Sequence, residues 1–129
     1  MQFRKIKQTD LDCIYEIEKS VFYHPWSREQ IMYELDNVSF ASNWLGIIND
    51  EIVGYIMSHT VGSEAQIINI AVKLEHQCRG IGKNILKEFL NQFTSNTYFF
   101  LEVRESNIPA FNMYFHLGFE QIDTRKKYY

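Results

Sequence analysis

The sequence predicts an α/β protein of the α+β kind, with a mixed central sheet flanked by helices on both faces. Three observations carry that expectation. Four β-branched or aromatic runs, "NWLGII", "IVGYIMSHT", "AQIINIAV" and "YFFLEV", have the length and composition of strands. Segments near 9–22 and 83–93 instead carry apolar residues at helical spacing. Between the third run and the second helical segment stands "QCRGIG", whose glycines mark a strand-to-helix junction. The resulting order is βααβββαβαβ.

The chain has 129 residues, the size of a single domain, 1–129, with enough length to bury a core. At 46% hydrophobic residues it has the composition of a folded chain rather than a disordered one. A net charge of -3 argues against a general nucleic-acid binder. No apolar run is long enough to span a membrane, and "MQFRKIKQTD" does not read as a signal peptide. Cys13 and Cys78 have no framework or metal spacing and read as free thiols in a reducing cytoplasm. Histidines 24, 59, 76 and 116 are scattered, so no metal is expected.

The elements follow in order. "FRKIK" reads as a first strand. Thr9 or Asp10 can cap a helix to about Phe22, with Leu11, Ile14, Ile17 and Val21 on one stripe. In "HPWSREQI", Ser27 and Gln30 make a capping box, and Trp26 and Ile31 flank it as a hydrophobic staple. A second helix therefore starts near Arg28. "NWLGII", the turn "NDE" and "IVGYIMSHT" read as a β-hairpin, followed by the strand "AQIINIAV". A helix from 83 to about 93 turns Ile85, Leu86, Phe89, Leu90 and Phe93 inward. "YFFLEV" is nearly unbroken in its apolar character, which predicts a central strand covered on both faces. In "SNIPAFNMYFHLGF", Ser106 or Asn107 caps a helix, Pro109 lies in its first turn and Gly118 stops it. "EQIDTR" can add one more strand.

A helix start leaves its first N–H groups unpaired and carries the positive end of the helix dipole. With glycines before it and Arg79 and Lys83 beside it, the "QCRGIG" turn can hold an anion, most naturally a phosphate. A structural turn with two glycines fits the same residues. The spacing is neither that of a Walker loop nor that of the dinucleotide fingerprint.

Taken together, "NIAV", "QCRGIG", the amphipathic helix and "LEVRESNIPAFNMYFHLGFE" resemble the GNAT superfamily of N-acetyltransferases. Within it the chain looks like the bacterial ribosomal-protein-alanine N-acetyltransferases, from "HPWS" to "TRKKYY". The resemblance implies acetyl-CoA as co-substrate. It implies that Cys78, Arg79, Gly80, Ile81, Gly82 and Lys83 hold the pyrophosphate, and that Ile70, Ala71 and Val72 pair with the pantetheine arm. It also implies that Asn107 hydrogen-bonds that arm, that Glu102 is the general base and that Tyr114 is the general acid. Trp26, Tyr128 and Tyr129 match positions bordering the acceptor. Cys78 stands where the family commonly has a basic residue.

These residue types suit the chemistry. An amine attacks a thioester only after losing its proton, the carbonyl oxygen gains negative charge, and a thiolate leaves. Glu102 in an apolar run would have a raised pKa, as a base requires; pairing with a basic neighbour is the other reading. Tyr114 can equally be a core aromatic, Asn107 a helix cap, and Trp26 ordinary staple packing. An α-amine titrates near 7.7–8.0 and a lysine near 10.4, so deprotonating the α-amine costs about 3.5 kcal/mol less. That favours a protein N-terminus as acceptor, and the resemblance implies the N-terminal alanine of a small-subunit ribosomal protein. Acetylation of a lysine or small amine, and a non-catalytic acetyl-CoA-binding module, stay open. Relatives continue beyond "KKYY" with a further strand. Its lack predicts an exposed C-terminal edge and self-association through it.

Overall fold

Strands β1 (Gln2–Lys5), β2 (Ala41–Ile48), β3 (Glu51–Val61), β4 (Glu64–Val72) and β5 (Tyr98–Leu101) lie side by side in that order. In this computed structural model, which describes residues 1–102 and 108–120, β1 to β4 pair antiparallel and β5 joins β4 in parallel. The sheet is therefore mixed, as the sequence predicts. Helices α1 (Leu11–Val21) and α2 (Arg28–Asp36) cover one face, and α3 (Ile81–Leu90) and α4 (Ile108–His116) the other.

Two cores result. Leu11, Ile14 and Ile17 of α1 and Ile31 of α2 meet Leu45, Tyr55, Met57 and Ala71 of the sheet. Ile81, Ile85, Leu86 and Phe89 of α3 and Tyr114 of α4 meet Val53, Ile56 and Ile67 on the opposite face. Residues 53–58 of β3 are all buried, which makes β3 the central strand. Asn49 and Asp50 take positive φ (51° and 64°), the backbone a two-residue hairpin turn needs between β2 and β3. Gly54 allows α3 to lie close on the sheet. A Cβ there would stand 2.6 Å from the Ala71 carbonyl oxygen and 2.7 Å from Ile85 Cδ1.

The α2 start follows the sequence closely. The Gln30 N–H donates to Ser27 Oγ (3.1 Å), and the Ser27 N–H donates to Gln30 Oε1 (2.7 Å). Trp26 and the fully buried Ile31 pack in the same core. The α1 start differs from expectation. Asp10 takes the N-cap position, but its side chain makes no cap hydrogen bond; a 3-10 turn, Gln8–Asp10, leads into the helix. Asp10 looks backward instead, accepting the Lys7 N–H (2.7 Å) and both terminal nitrogens of Arg4 (2.8 and 3.0 Å). The guanidinium, with the Lys7 N–H adding to it, holds the Asp10 carboxyl below the usual carboxylate range.

Two further expectations are corrected. Helix α3 begins at Ile81, earlier than residue 83, because Gly80 takes the left-handed conformation (φ 77°) and serves as N-cap. Strand β5 ends at Leu101, and Tyr98 and Phe100 are exposed. The run is apolar on both faces, yet only Phe99 and Leu101 join a core among the described residues. An unbroken apolar strand predicts cover on both sides; among the described residues one side faces out. Helix α4 ends as expected, with Gly118 at φ 97° and the Phe119 N–H donating to the Tyr114 carbonyl (3.0 Å). Its expected caps, Ser106 and Asn107, and the strand expected in "EQIDTR" from Gln121 onward, lie outside the described residues.

Candidate active site

Strand β4 is paired on one edge along most of its length but on the other edge only in its first half. Its partners on β5 run from Glu64↔Tyr98 to Ile67↔Leu101 and stop, while on β3 they continue to Val72↔Gly54. Among the described residues, 68–72 thus have an open edge toward β5. A groove of about 190 Å³ lies where the strands part, lined by Gln66, Ile67, Ile68 and Glu102.

A bulge sits at that point. Met57 faces Asn69 and Ser58 faces Ile67, so Ile68 is an extra residue on β4. The bulge puts two consecutive side chains on one face. Ile68 packs in the α1 core, and Asn69 reaches the α1 residue Glu18. Beyond the bulge the alternation resumes. The Lys73 N–H donates to the Val53 carbonyl (2.8 Å), so by strand alternation the backbone groups of Ala71 face β3. Those of Ile70 and Val72 face the open edge. The Val72 carbonyl there accepts the Gln77 side-chain amide (3.0 Å), which ties the following turn to the strand end.

That turn carries residues 78–80 into α3. Cys78 and Gly80 both have positive φ (64° and 77°). No side chain caps α3, and the first intrahelical bond is the Asn84 N–H to the Gly80 carbonyl (3.0 Å). The amides of Ile81, Gly82 and Lys83 form the uncapped first turn. Nothing lies within 4 Å of the point where a Gly80 Cβ would stand, so the approach to this backbone is open. Arg79 and Lys83 are exposed, and neither is ion-paired among the described residues. Lys73, by contrast, is held by Glu51 (2.8 Å). The donors and charges of residues 78–83 fit a pyrophosphate, and the open strand edge fits an extended amide-bearing arm.

The two residues given catalytic roles by resemblance sit in different settings. Glu102 follows β5 directly and lines the groove. The burial expected from its apolar neighbours is not there: Glu102 is exposed, because β5 has ended one residue earlier. Tyr114 lies on α4, buried against the α3 core and edge-on to Phe119 (5.8 Å between ring centroids). Burial pushes its phenol above the ordinary tyrosine value. Tyr114 does not line the 190 Å³ groove. Trp26 lies before α2 and lines a second groove of about 390 Å³ with Glu29, Gln30, Tyr33 and Glu34. Asn107, Tyr128 and Tyr129 lie outside the described residues. Among the described residues no three histidine, cysteine or acidic side chains converge to hold a metal, and no helix is long and apolar enough to cross a membrane.

The sequence reading missed Glu18. It is 2% exposed, and its carboxyl accepts the Trp26 N–H (2.9 Å), Asn69 Nδ2 (2.6 Å) and the Tyr55 hydroxyl. Burial, and then the adjoining Glu18 carboxyl, push the Tyr55 phenol far above its ordinary value, so it stays a donor. A signal for Glu18 was present. With Leu11, Ile14 and Val21 it falls at i, i+3, i+7 and i+10, on the apolar stripe itself.

Among the described residues, the mixed sheet has fourth and fifth strands that part beside a glycine turn and an uncapped helix start, an arrangement that fits an acyl carrier. The acetyltransferase (GNAT) family model matches residues 11–119, and the chain belongs to that family. It is similar to the [ribosomal protein bS18]-alanine N-acetyltransferase of Haemophilus influenzae, with 34% identity over 127 residues, covering 97% of this chain and 85% of that one. The protein of that name from Haemophilus ducreyi is 30% identical over 130 residues, covering 96% of this chain and 86% of the relative. The crystal structure of the ribosomal-protein-S18-alanine N-acetyltransferase from Escherichia coli superposes with a TM-score of 0.91 at 28% identity, over 99% of this chain and 83% of that one.

Proposed function

We propose that this acetyltransferase moves an acetyl group from acetyl-CoA to the N-terminal amine of a protein, with the N-terminal alanine of ribosomal protein bS18 as acceptor. The observation that carries the carrier half is the β4 edge at 68–72, open among the described residues, next to the uncapped start of α3. The acceptor half rests on the likeness, along nearly the whole chain, to enzymes named for that alanine.

Acetyl-CoA supplies the acetyl group as a thioester. The amides from Cys78 to Lys83, with the Arg79 and Lys83 side chains, bind its pyrophosphate. The backbone groups of Ile70 and Val72 orient the arm, and an N–H of this edge stabilises the oxygen that gains charge. Ala71 supports that edge through its pairing with β3. The resemblance assigns Asn107 a further hydrogen bond to the arm. Glu102, which lines the groove, takes the proton of the attacking amine through water. Tyr114 returns a proton to the leaving thiolate, and its raised value keeps the phenol protonated at neutral pH. Trp26 borders the acceptor, and the resemblance assigns Tyr128 and Tyr129 to the same part. Direct attack needs no covalent enzyme intermediate.

The test is a panel of short peptides that differ in their first residues, incubated with acetyl-CoA and followed by mass spectrometry. The peptide with the bS18 N-terminus is expected to turn over fastest. Equal rates across the panel would refute the assigned acceptor, and no transfer to any peptide would refute an N-terminal amine as substrate.

A further inference from the structure

Glu18 is a carboxyl group in the core with three hydrogen-bond donors around it, and the chemistry assigned above does not use it. Its three partners belong to three different parts of the molecule. Oε2 accepts the main-chain N–H of Trp26, in the connection between α1 and α2. Oε1 accepts Asn69 Nδ2 on β4 and the Tyr55 hydroxyl on β3. Asn69 stands directly after the bulged Ile68, which lines the groove with Glu102, and directly before Ile70 on the open edge. Trp26 lines the other groove. One side chain thus joins the segment carrying Trp26 to the stretch of β4 where the cleft opens.

The bulge makes this link possible. Without the extra residue, strand alternation would turn Asn69 toward the α3 face, away from Glu18. The donors also make it demanding. A main-chain N–H cannot turn round to become an acceptor, and the site is buried, so removing the carboxyl leaves the Trp26 amide without a partner.

We propose that Glu18 is a positioning residue for the acceptor: it fixes residues 22–27 against β3 and β4, so that Trp26 is set relative to the groove before the acceptor binds. This rests on the reading of Trp26 as an acceptor-bordering residue. The carrier side is held separately, since β4 from Asn69 to Val72 is paired with β3 along its main chain, a pairing in which the Glu18 side chain takes no part.

Glu18→Leu keeps the volume and removes the acceptor atoms; Glu18→Gln keeps one oxygen for the Trp26 N–H. In Glu18→Leu the KM for the bS18 peptide is expected to rise about tenfold or more, with acetyl-CoA affinity changed less than about twofold. Glu18→Gln is expected to recover most of that loss. Amide exchange read by mass spectrometry on the free proteins is expected to quicken in the peptide covering 22–27, and not in 78–90. Equal losses for acceptor and acetyl-CoA, or a lower melting point with both constants intact, would overturn the proposal. If the parent transfers nothing to the peptide, the acceptor reading fails and exchange decides alone. Faster exchange confined to 22–27 then supports the role of Glu18, and unchanged exchange overturns it. If Glu18→Leu does not fold, exchange in Glu18→Gln is read by the same rule.

Discussion

Gly80 offers a matched test of the phosphate-binding turn, because the fold supplies its own control. Gly80 (φ 77°) and Gly62 (φ 61°) are both left-handed, and at both a Cβ would meet nothing within 4 Å. Valine at either position therefore costs conformational strain, not a clash. For an L-residue in this region the cost is about 1–2 kcal/mol. At about 2.1 cal/mol/K per residue, a chain of 129 residues has an unfolding entropy near 0.27 kcal/mol/K, so either variant should melt about 4–7 °C below the parent. Binding should separate them. Gly62 lies in the turn between β3 and β4, whereas Gly80 opens onto the uncapped amides of α3. Gly80→Val should weaken acetyl-CoA binding at least about tenfold, or about 1.4 kcal/mol, and Gly62→Val should leave it unchanged. Titration calorimetry with acetyl-CoA, after thermal melts of each variant, reads both quantities. Equal affinity in the two variants, or parent-like affinity in a folded Gly80→Val, would refute the assignment of the turn.

The catalytic roles make a second expectation: Glu102→Gln should lower peptide turnover roughly 10²-fold with acetyl-CoA affinity nearly unchanged, and Tyr114→Phe should lower turnover more than binding. Steady-state rates between pH 6 and 9 check both, and parent-like rates would remove the role. Asp10 gives a pH expectation. Its native pKa lies below its unfolded value of about 3.9, so its contribution is complete above that value and is lost as pH falls through the native one. Asp10→Asn should therefore be less stable than the parent by about 1–2 kcal/mol near neutral pH, with the gap closing below about pH 3.9. Urea titrations at several pH values read the gap, and a constant gap would contradict the sign. Ser27→Ala should cost about 1 kcal/mol by removing the α2 cap, read by the same titrations.

Local signals in the sequence translated well where the chemistry was itself local. Ser27 and Gln30 stand three apart and bond each other, and the apolar spacing after Gly82 gave the buried face of α3. The signals failed where the answer depended on distant partners. Asp10 looked like a cap, but Arg4 and the Lys7 N–H compete for its carboxylate and win. "YFFLEV" looked central because composition reports how apolar a strand is, not whether both faces find neighbours; Tyr98 and Phe100 are exposed. The Ile68 bulge leaves no mark in a run where Ile67 and Ile68 are identical, so the meeting of Asn69 with Glu18 could not be read. Glu18 shows the same limit from the other side. An acidic residue on an apolar stripe reads as a solvated intruder until its donors are known. The glycine turn was legible, but the β4 edge beside it, open among the described residues, was not, since it depends on how far pairing with β5 extends.

Locating the transferred acetyl group tests the central claim most directly. A peptide with the bS18 N-terminus and one internal lysine is incubated with the protein and acetyl-CoA, and the product is fragmented in a tandem mass spectrometer. The account expects a single acetyl group on the α-nitrogen of the first residue, and no product from the same peptide with that nitrogen blocked. An acetyl group on the lysine side chain, formed equally well from the blocked peptide, would contradict it.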